Sequence, residues 1–265
     1  MNGPGQLNLI RSEVRDHTAV ITLANPSRRN AINAEMVTEI IGVLDEIEAS
    51  PDVSAVVVTG EGPAFCARAE LGHLMRASAE NDRATETLRT IYRVFLRIDA
   101  CVLPTIAAVN GPAVGAGMNM ALACDIRLAG HSARFATRFL TLGLHPGGGH
   151  TWMLRRAIGD QGAMAAVLLD QEMSGPEAAE AGLAWRCVPD GELMDEALRL
   201  ASRAAAAPRE VLIQTKQSIR DMADVSSYAD AVELELPKQL WSAQQGEFAD
   251  RLAKLGVGQR RGAAP

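Results

Sequence analysis

Cysteine is scarce in this 265-residue chain, and its four copies, Cys66, Cys101, Cys124 and Cys187, are widely spaced with no CxxC pair. That pattern excludes a disulfide-stapled scaffold and a zinc knuckle. It leaves small buried hydrophobes in a reducing, cytoplasmic compartment as the natural reading. No apolar run reaches the roughly 20 residues that a membrane span needs. The opening MNGPGQLNLIRSEVRD lacks the basic-then-apolar pattern of a secretion signal. An excess of positive charge is also missing: the net charge of −6 argues against a nucleic-acid partner. Among motifs, GxxxxGK[ST] and GxSxG do not occur, and GAGMNM, residues 115–120, lacks the third glycine of GxGxxG. Without a recognisable Ser/His/Asp arrangement, serine-type thioester hydrolysis is disfavoured.

What is present is an ordinary globular composition, 48% apolar and 22% charged, long enough for one large domain or one domain with an appendage. Residues 18–23 (TAVITL) read as a strand ended by the turn-forming Asn25-Pro26-Ser27. Asn33 can cap a helix to about Ala49, with Met36, Ile40, Leu44 and Ile47 at helical spacing. Residues 54–59 (SAVVVT) are almost wholly apolar, as a strand covered on both faces should be. After AFCARAEL, residues 64–71, a mostly polar segment containing His73 reads as mobile and solvated to about residue 83, and a helix follows to about 98.

Further strands are predicted at 105–109, 125–129 and 134–136, a loop at 143–149 (GLHPGGG), and helices from 151 to 157, with His150 at its start, and from 161 to 169. A helix over 174–185 carries Ser174 as its cap and Pro176 near its first turn. From about 193 the chain is mainly helical to 253, with a frayed tail. Strands alternate with helices for two thirds of the chain and then helices take over. The expected fold class is therefore α/β, with a core over 1–195 and a helical region over 196–265.

Residues 104–125, PTIAAVNGPAVGAGMNMALACD, draw the eye. A short buried strand runs through a glycine-rich turn, residues 110–117, into a helix. Such a turn leaves backbone N–H groups unpaired at a helix start, where the helix dipole favours negative charge. Glycine and alanine let a ligand approach the backbone closely. The stretch reads as a place to hold an anion or a developing negative charge.

Five segments together, NPSRRNAIN (25–33), VVVTGEGPAFCARAEL (56–71), the glycine-turn stretch, GLHPGGG and GPEAAEAGLAWRCVP (175–189), resemble the enoyl-CoA hydratase/isomerase, or crotonase, family over roughly residues 8–220. The resemblance implies a spiral of ββα units with a helical C-terminal trimerisation region, assembled as a homotrimer or as a hexamer of two trimers. It implies an acyl-CoA thioester as substrate. Coenzyme A would enter as part of that substrate, with no permanently bound cofactor. The shared chemistry would be stabilisation of the thioester enolate by two backbone N–H groups, an oxyanion hole. By motif those groups belong to Ala69 and Ala116.

The sequence departs from the family where protons are moved. The two glutamates that the resemblance implies fall on Asn119 and Phe139, neither of which exchanges a proton at neutral pH. An aspartate that some relatives carry after the GLxP segment falls on Gly147. Arg68 and Glu70 replace the glycine and aspartate of FCAGAD, so Arg68 is expected to strain the loop, to meet a CoA phosphate or Glu70, or to be a plain surface residue. His145 is the candidate to replace the missing acids, because an imidazole suits proton transfer near neutrality. Asn119 can hold a water or the acyl carbonyl. Phe139, with Leu144 and Pro146, is expected to line an apolar acyl pocket. CoA contacts are expected from Arg28, Ala67, Arg68, Gly115 and Lys216. The family's C-terminal pattern survives only loosely, as QQGEFADRLAKL. A binding protein that keeps the CoA site without proton transfer, or a different enolate reaction on a CoA thioester, are the alternatives to hydration or isomerisation.

Overall fold

The computed structural model describes residues 9–70 and 81–255. Most of the polar segment, His73 included, and the tail beyond 255 lie outside the described residues. Among the described residues the chain forms β1 (Ile10–Arg15), β2 (Thr18–Leu23), β3 (Ala55–Gly60), β4 (Thr105–Val109), β5 (Pro112–Val114), β6 (Ile126–Gly130), β7 (Arg134–Ala136), β8 (Met173–Ser174) and β9 (Arg186–Val188). One sheet has the order β1-β2-β3-β4-β6-β9, antiparallel between β1 and β2 and parallel elsewhere. A smaller sheet has the order β5-β7-β8, parallel between β5 and β7 and antiparallel between β7 and β8.

The apolar runs explain the parallel centre of the larger sheet. Every residue of β3 and β4 is buried, so both faces are covered. One face packs on α6 (Leu193–Ala205): Val20, Ala55, Val57, Ile106, Ala108 and Leu128 meet Leu193, Ala197 and Ala201. The alternate residues, Ala19, Ile21, Val56, Val58 and Ala107, are buried on the opposite face. The other helices of this unit are α1 (Ala34–Ala49), α2 (Asn81–Asp99), α3 (Ala116–Ala123), α4 (His150–Leu168) and α5 (Gly175–Glu180). Asn33 caps α1 as expected, its side chain accepting the Met36 N–H at 2.9 Å. Ser174 caps α5 in a reciprocal box with Glu177.

The structure corrects the sequence reading at three places. Strand β1 was not expected, because only Ile10 of its six residues is buried and an edge strand of polar residues carries little apolar signal. β5 lies inside the predicted glycine turn. The helix after Ser174 ends at Glu180 rather than at 185, since Gly182 turns the chain at φ +78° and leaves residues 186–188 to pair with β6. The two helices expected after the GLHPGGG loop are both present, as the two halves of α4, which meet at a kink at Gly159 (φ 71°, ψ 178°).

The chain divides into two compact units after Ala205. The boundary expected near 195 falls inside α6, which buries its apolar face on the sheet. The second unit contains α7 (Arg209–Asp221), α8 (Tyr228–Ala243) and α9 (Gly246–Lys254). None of its described residues is buried. Lys238 ties α8 to α7 by bonds to Ser218 (3.0 Å) and Asp221 (3.1 Å).

Candidate active site

Two loops of the first unit are joined by backbone. Residues 25–30 hold a tight turn in which Arg29 and Asn30 take positive φ. The buried Asn30 side chain accepts the Asn25 N–H (2.9 Å) and donates to the carbonyls of Glu61 (3.0 Å) and Ala64 (2.8 Å). The Ala67 N–H donates to the Arg29 carbonyl (3.0 Å), the Ile32 N–H to the Arg68 carbonyl (3.0 Å) and the Glu70 N–H to the Ile32 carbonyl (2.8 Å). Ile32 and Ala69 thus form a parallel bridge. In such a bridge the residues on either side of Ala69 do the bonding, and the Ala69 N–H points the other way. It has no partner among the described residues.

On that other side lies the start of α3. The Cys66 N–H donates to the Pro112 carbonyl (3.1 Å), and the Val114 N–H to the Cys66 carbonyl (3.0 Å). A Cβ on Gly117 would stand 1.7 Å from that same Cys66 oxygen, so only glycine lets α3 begin against the strip that ends in Ala69. Gly115, at φ +54°, precedes the helix and gives its N–H to the Ala136 carbonyl. Ala116 is the first helical residue, and its N–H also lacks a partner among the described residues. Ala69, Gly115 and Ala116 are half-buried, open to a ligand.

One turn along α3, Asn119 is buried, and its amide is fixed from both ends. Its Nδ2 donates to the Gly147 carbonyl at 2.9 Å, and its Oδ1 lies 2.7 Å from His150 Nδ1. A carbonyl only accepts, so Gly147 decides which way the amide faces. Oδ1 then obliges His150 to carry its hydrogen on Nδ1. Nε2 is left as a buried acceptor with no partner among the described residues. Burial pushes the His150 pKa down to about 4, so the ring is neutral at physiological pH. Phe139 stands edge-on to that ring, centroids 5.0 Å apart and 61° between planes, and its tip comes 4.0 Å from where a Gly115 Cβ would be. Tyr92 of α2 closes the other side, beside Gly147 and Gly148.

Of the residues singled out from sequence, the structure brings together Ala67, Arg68, Ala69, Gly115, Ala116, Asn119 and Phe139. Arg68 is exposed, does not pair with Glu70, and is not among the residues of positive φ, so arginine holds this place without left-handed strain. Arg28 is exposed on the turn that Ala67 is bonded to. His145 is exposed and donates from Nδ1 to the neighbouring Pro146 carbonyl (2.7 Å); of the two histidines here it is His150 that meets Asn119. Leu144 is 43% exposed and Pro146 half-buried, so these loop residues stand at the rim. Lys216 lies on α7 of the second unit. Sequence reasoning passed over Tyr92, which has no local motif, and gave His150 only a place at a helix start. The glycines that precede His150 were the available signal.

Comparison with known proteins places the chain in a family and agrees with the fold. The family model described as enoyl-CoA hydratase/isomerase matches residues 13–248. The Mycobacterium tuberculosis protein named "Probable enoyl-CoA hydratase EchA14" is 46% identical over 253 residues, covering 94% of this chain and 97% of that protein. The Escherichia coli 2,3-dehydroadipyl-CoA hydratase is 35% identical, covering 79% of this chain and 81% of its own length. A crystal structure of an enoyl-CoA hydratase from Bacillus anthracis superimposes with a TM-score of 0.88 at 26% identity, covering 94% of this chain and 96% of that one.

Proposed function

The chain belongs to the enoyl-CoA hydratase/isomerase family, and we propose that it hydrates or isomerises an enoyl-CoA thioester through an enolate held by the backbone N–H groups of Ala69 and Ala116. The observation that carries this reading is the pair of N–H groups without protein partners on two loops in contact, one freed by the Ile32 bridge and the other by the start of α3. Two donors fixed before the ligand arrives stabilise charge as it develops on the thioester oxygen, and such donors are worth about 10²–10³-fold each in rate. The dipole of α3 adds to them.

The rest of the substrate follows from the rim. Arg28 and Arg68, exposed on the bonded loops, suit the phosphates of coenzyme A, with backbone at Ala67 and Gly115 beside them. Lys216 is a further candidate by the family resemblance alone. Phe139, Leu144 and Pro146 offer apolar surface to the acyl chain, and Asn119 offers a polar point within it. His145, exposed on the same loop, is a further candidate to meet a ligand at the rim. The second unit, with no buried residue among those described, suits burial in a homotrimer or a hexamer of two trimers. Among the described residues no helix is long and apolar enough to cross a membrane. A cytoplasmic enzyme that works away from membranes fits the charge and cysteine pattern.

Asn119 and Phe139 at the centre of the site favour a second reading, a protein that binds acyl-CoA without turnover. Calorimetric titration with saturated acyl-CoA and an absorbance assay with 2-enoyl-CoA separate the two. Binding with turnover supports the enzyme, binding alone supports the second reading, and no binding removes both.

A further inference from the structure

Tyr92 presents a hydroxyl to the site that no family motif marks. A Cβ built on Gly147 would lie 2.2 Å from the phenol oxygen and 3.2 Å from Cζ, so this hydroxyl fills the space that a side chain at 147 would take. A Cβ on Gly148 would come 3.0 Å from Tyr92 Cδ1. The ring therefore lies along the Gly147–Gly148 backbone, with the Gly148 N–H turned toward its oxygen. Phe95 approaches the same Gly148 position, and the two rings stand with centroids 6.3 Å apart. The Gly147 carbonyl is the group that holds Asn119, one helical turn from Ala116. Tyr92 is only half-buried, and its hydroxyl hydrogen has no acceptor among the described residues. The site thus contains an uncommitted O–H beside the polar point of the acyl pocket.

We propose that the Tyr92 hydroxyl relays the proton to the α-carbon of the thioester. This rests on the reading of the site as an enoyl-CoA site. As a water oxygen bonds to the β-carbon, the C=C electron pair moves toward the thioester and is held as enolate at Ala69 and Ala116. The phenol gives its hydrogen to the α-carbon and takes one hydrogen from the attacking water. One O–H bond of water and the Tyr92 O–H bond break. A C–O bond, a C–H bond and a new phenol O–H bond form. The phenol ends as neutral as it began, so no carboxylate is needed at 119 or 139. Burial pushes the Tyr92 pKa above its usual range, which keeps the hydrogen in place through neutral pH.

Tyr92→Phe removes one oxygen and keeps the ring. With purified full-length protein and 2-enoyl-CoA, kcat is expected to fall about 10²-fold, while the dissociation constant for saturated acyl-CoA stays within about twofold. Gly147→Ala provides an independent variant. Its backbone is outside the left-handed region, and the new methyl displaces only the end of the Tyr92 side chain. It should reproduce the loss in kcat with affinity kept, and it carries the test if Tyr92→Phe does not fold. Wild-type turnover that both variants leave unchanged overturns the relay alone. Absence of turnover in the wild-type protein overturns the enzyme reading and the relay together.

Discussion

The strip that carries the Ala69 and Ala116 N–H groups is made of backbone, whereas the pocket beyond it is made of the side chains of Tyr92, Asn119, Phe139 and His150. The backbone strip depends on a few close approaches: a glycine at 117 where a methyl would meet the Cys66 carbonyl, a positive φ at Gly115, and the bridge to Ile32. Arginine at 68 leaves it in place, since the bonds there run through the Arg68 carbonyl. The side-chain half has no such tolerance. A carboxylate at 119 or 139 is lost with one substitution, and Asn119 is then bound up with His150 and Gly147. On the proposed reading, a charge-stabilising function built from N–H groups outlasts a proton-moving function built from side chains, and different proton chemistry can be set against the same strip.

The sharpest way to break the comparison is Gly117→Ala. The methyl must part α3 from the Cys66 carbonyl, at a cost of about 3 kcal/mol. With Ala116 moved from Ala69, turnover should fall about 10²–10³-fold. Denaturant unfolding and the enoyl-CoA assay read the two effects, and an unchanged rate in a folded variant would remove Ala116 from the oxyanion site.

The side-chain half carries a pH signature. Between pH 6.5 and about 4 an unfolded histidine takes a proton that the folded His150 refuses. Stability is therefore full above pH 6.5 and declines as pH falls through this window, by about 3 kcal/mol at its lower end. His150→Phe should flatten that part of the unfolding-versus-pH curve. An identical slope in the variant would show that another group is responsible.

Slightly smaller is the effect of restoring acids. With the backbone strip intact, Asn119→Glu combined with Phe139→Glu should raise hydration about 10²-fold. No gain in a folded, acyl-CoA-binding double variant would mean that the strip itself is not competent. Least of all is expected from the rim: His145→Ala should slow turnover several-fold at most, and a loss beyond about 10²-fold would make His145 the proton-transfer group.

Much of the fold was legible because its signals are local. The apolar runs of β3 and β4, the Asn33 and Ser174 caps and the glycine turn all announce themselves within a few residues. β1 and β9 were not legible, since an edge strand that is mostly polar, like β1, or only three residues long, like β9, is defined by the partner it finds. The site divides in the same way. Ala69 and Ala116, proposed from motifs, have N–H groups without partners among the described residues because those motifs bring their own local geometry. Tyr92 and His150 come to Asn119 from α2 and α4, 27 and 31 residues away in sequence, and only the packed structure puts them there. The helical character of the second unit was legible, although its division into three helices and what covers them were not.

The central claim is that an enoyl thioester is turned over on the Ala69–Ala116 strip without a glutamate pair. Loss of the conjugated enoyl-thioester absorbance, followed at steady state with short, medium and long 2-enoyl-CoAs, tests it most directly. A saturable rate above the buffer blank, slow but abolished by Gly117→Ala, is the expected result. No rate with any chain length, from folded protein that binds acyl-CoA, would contradict it.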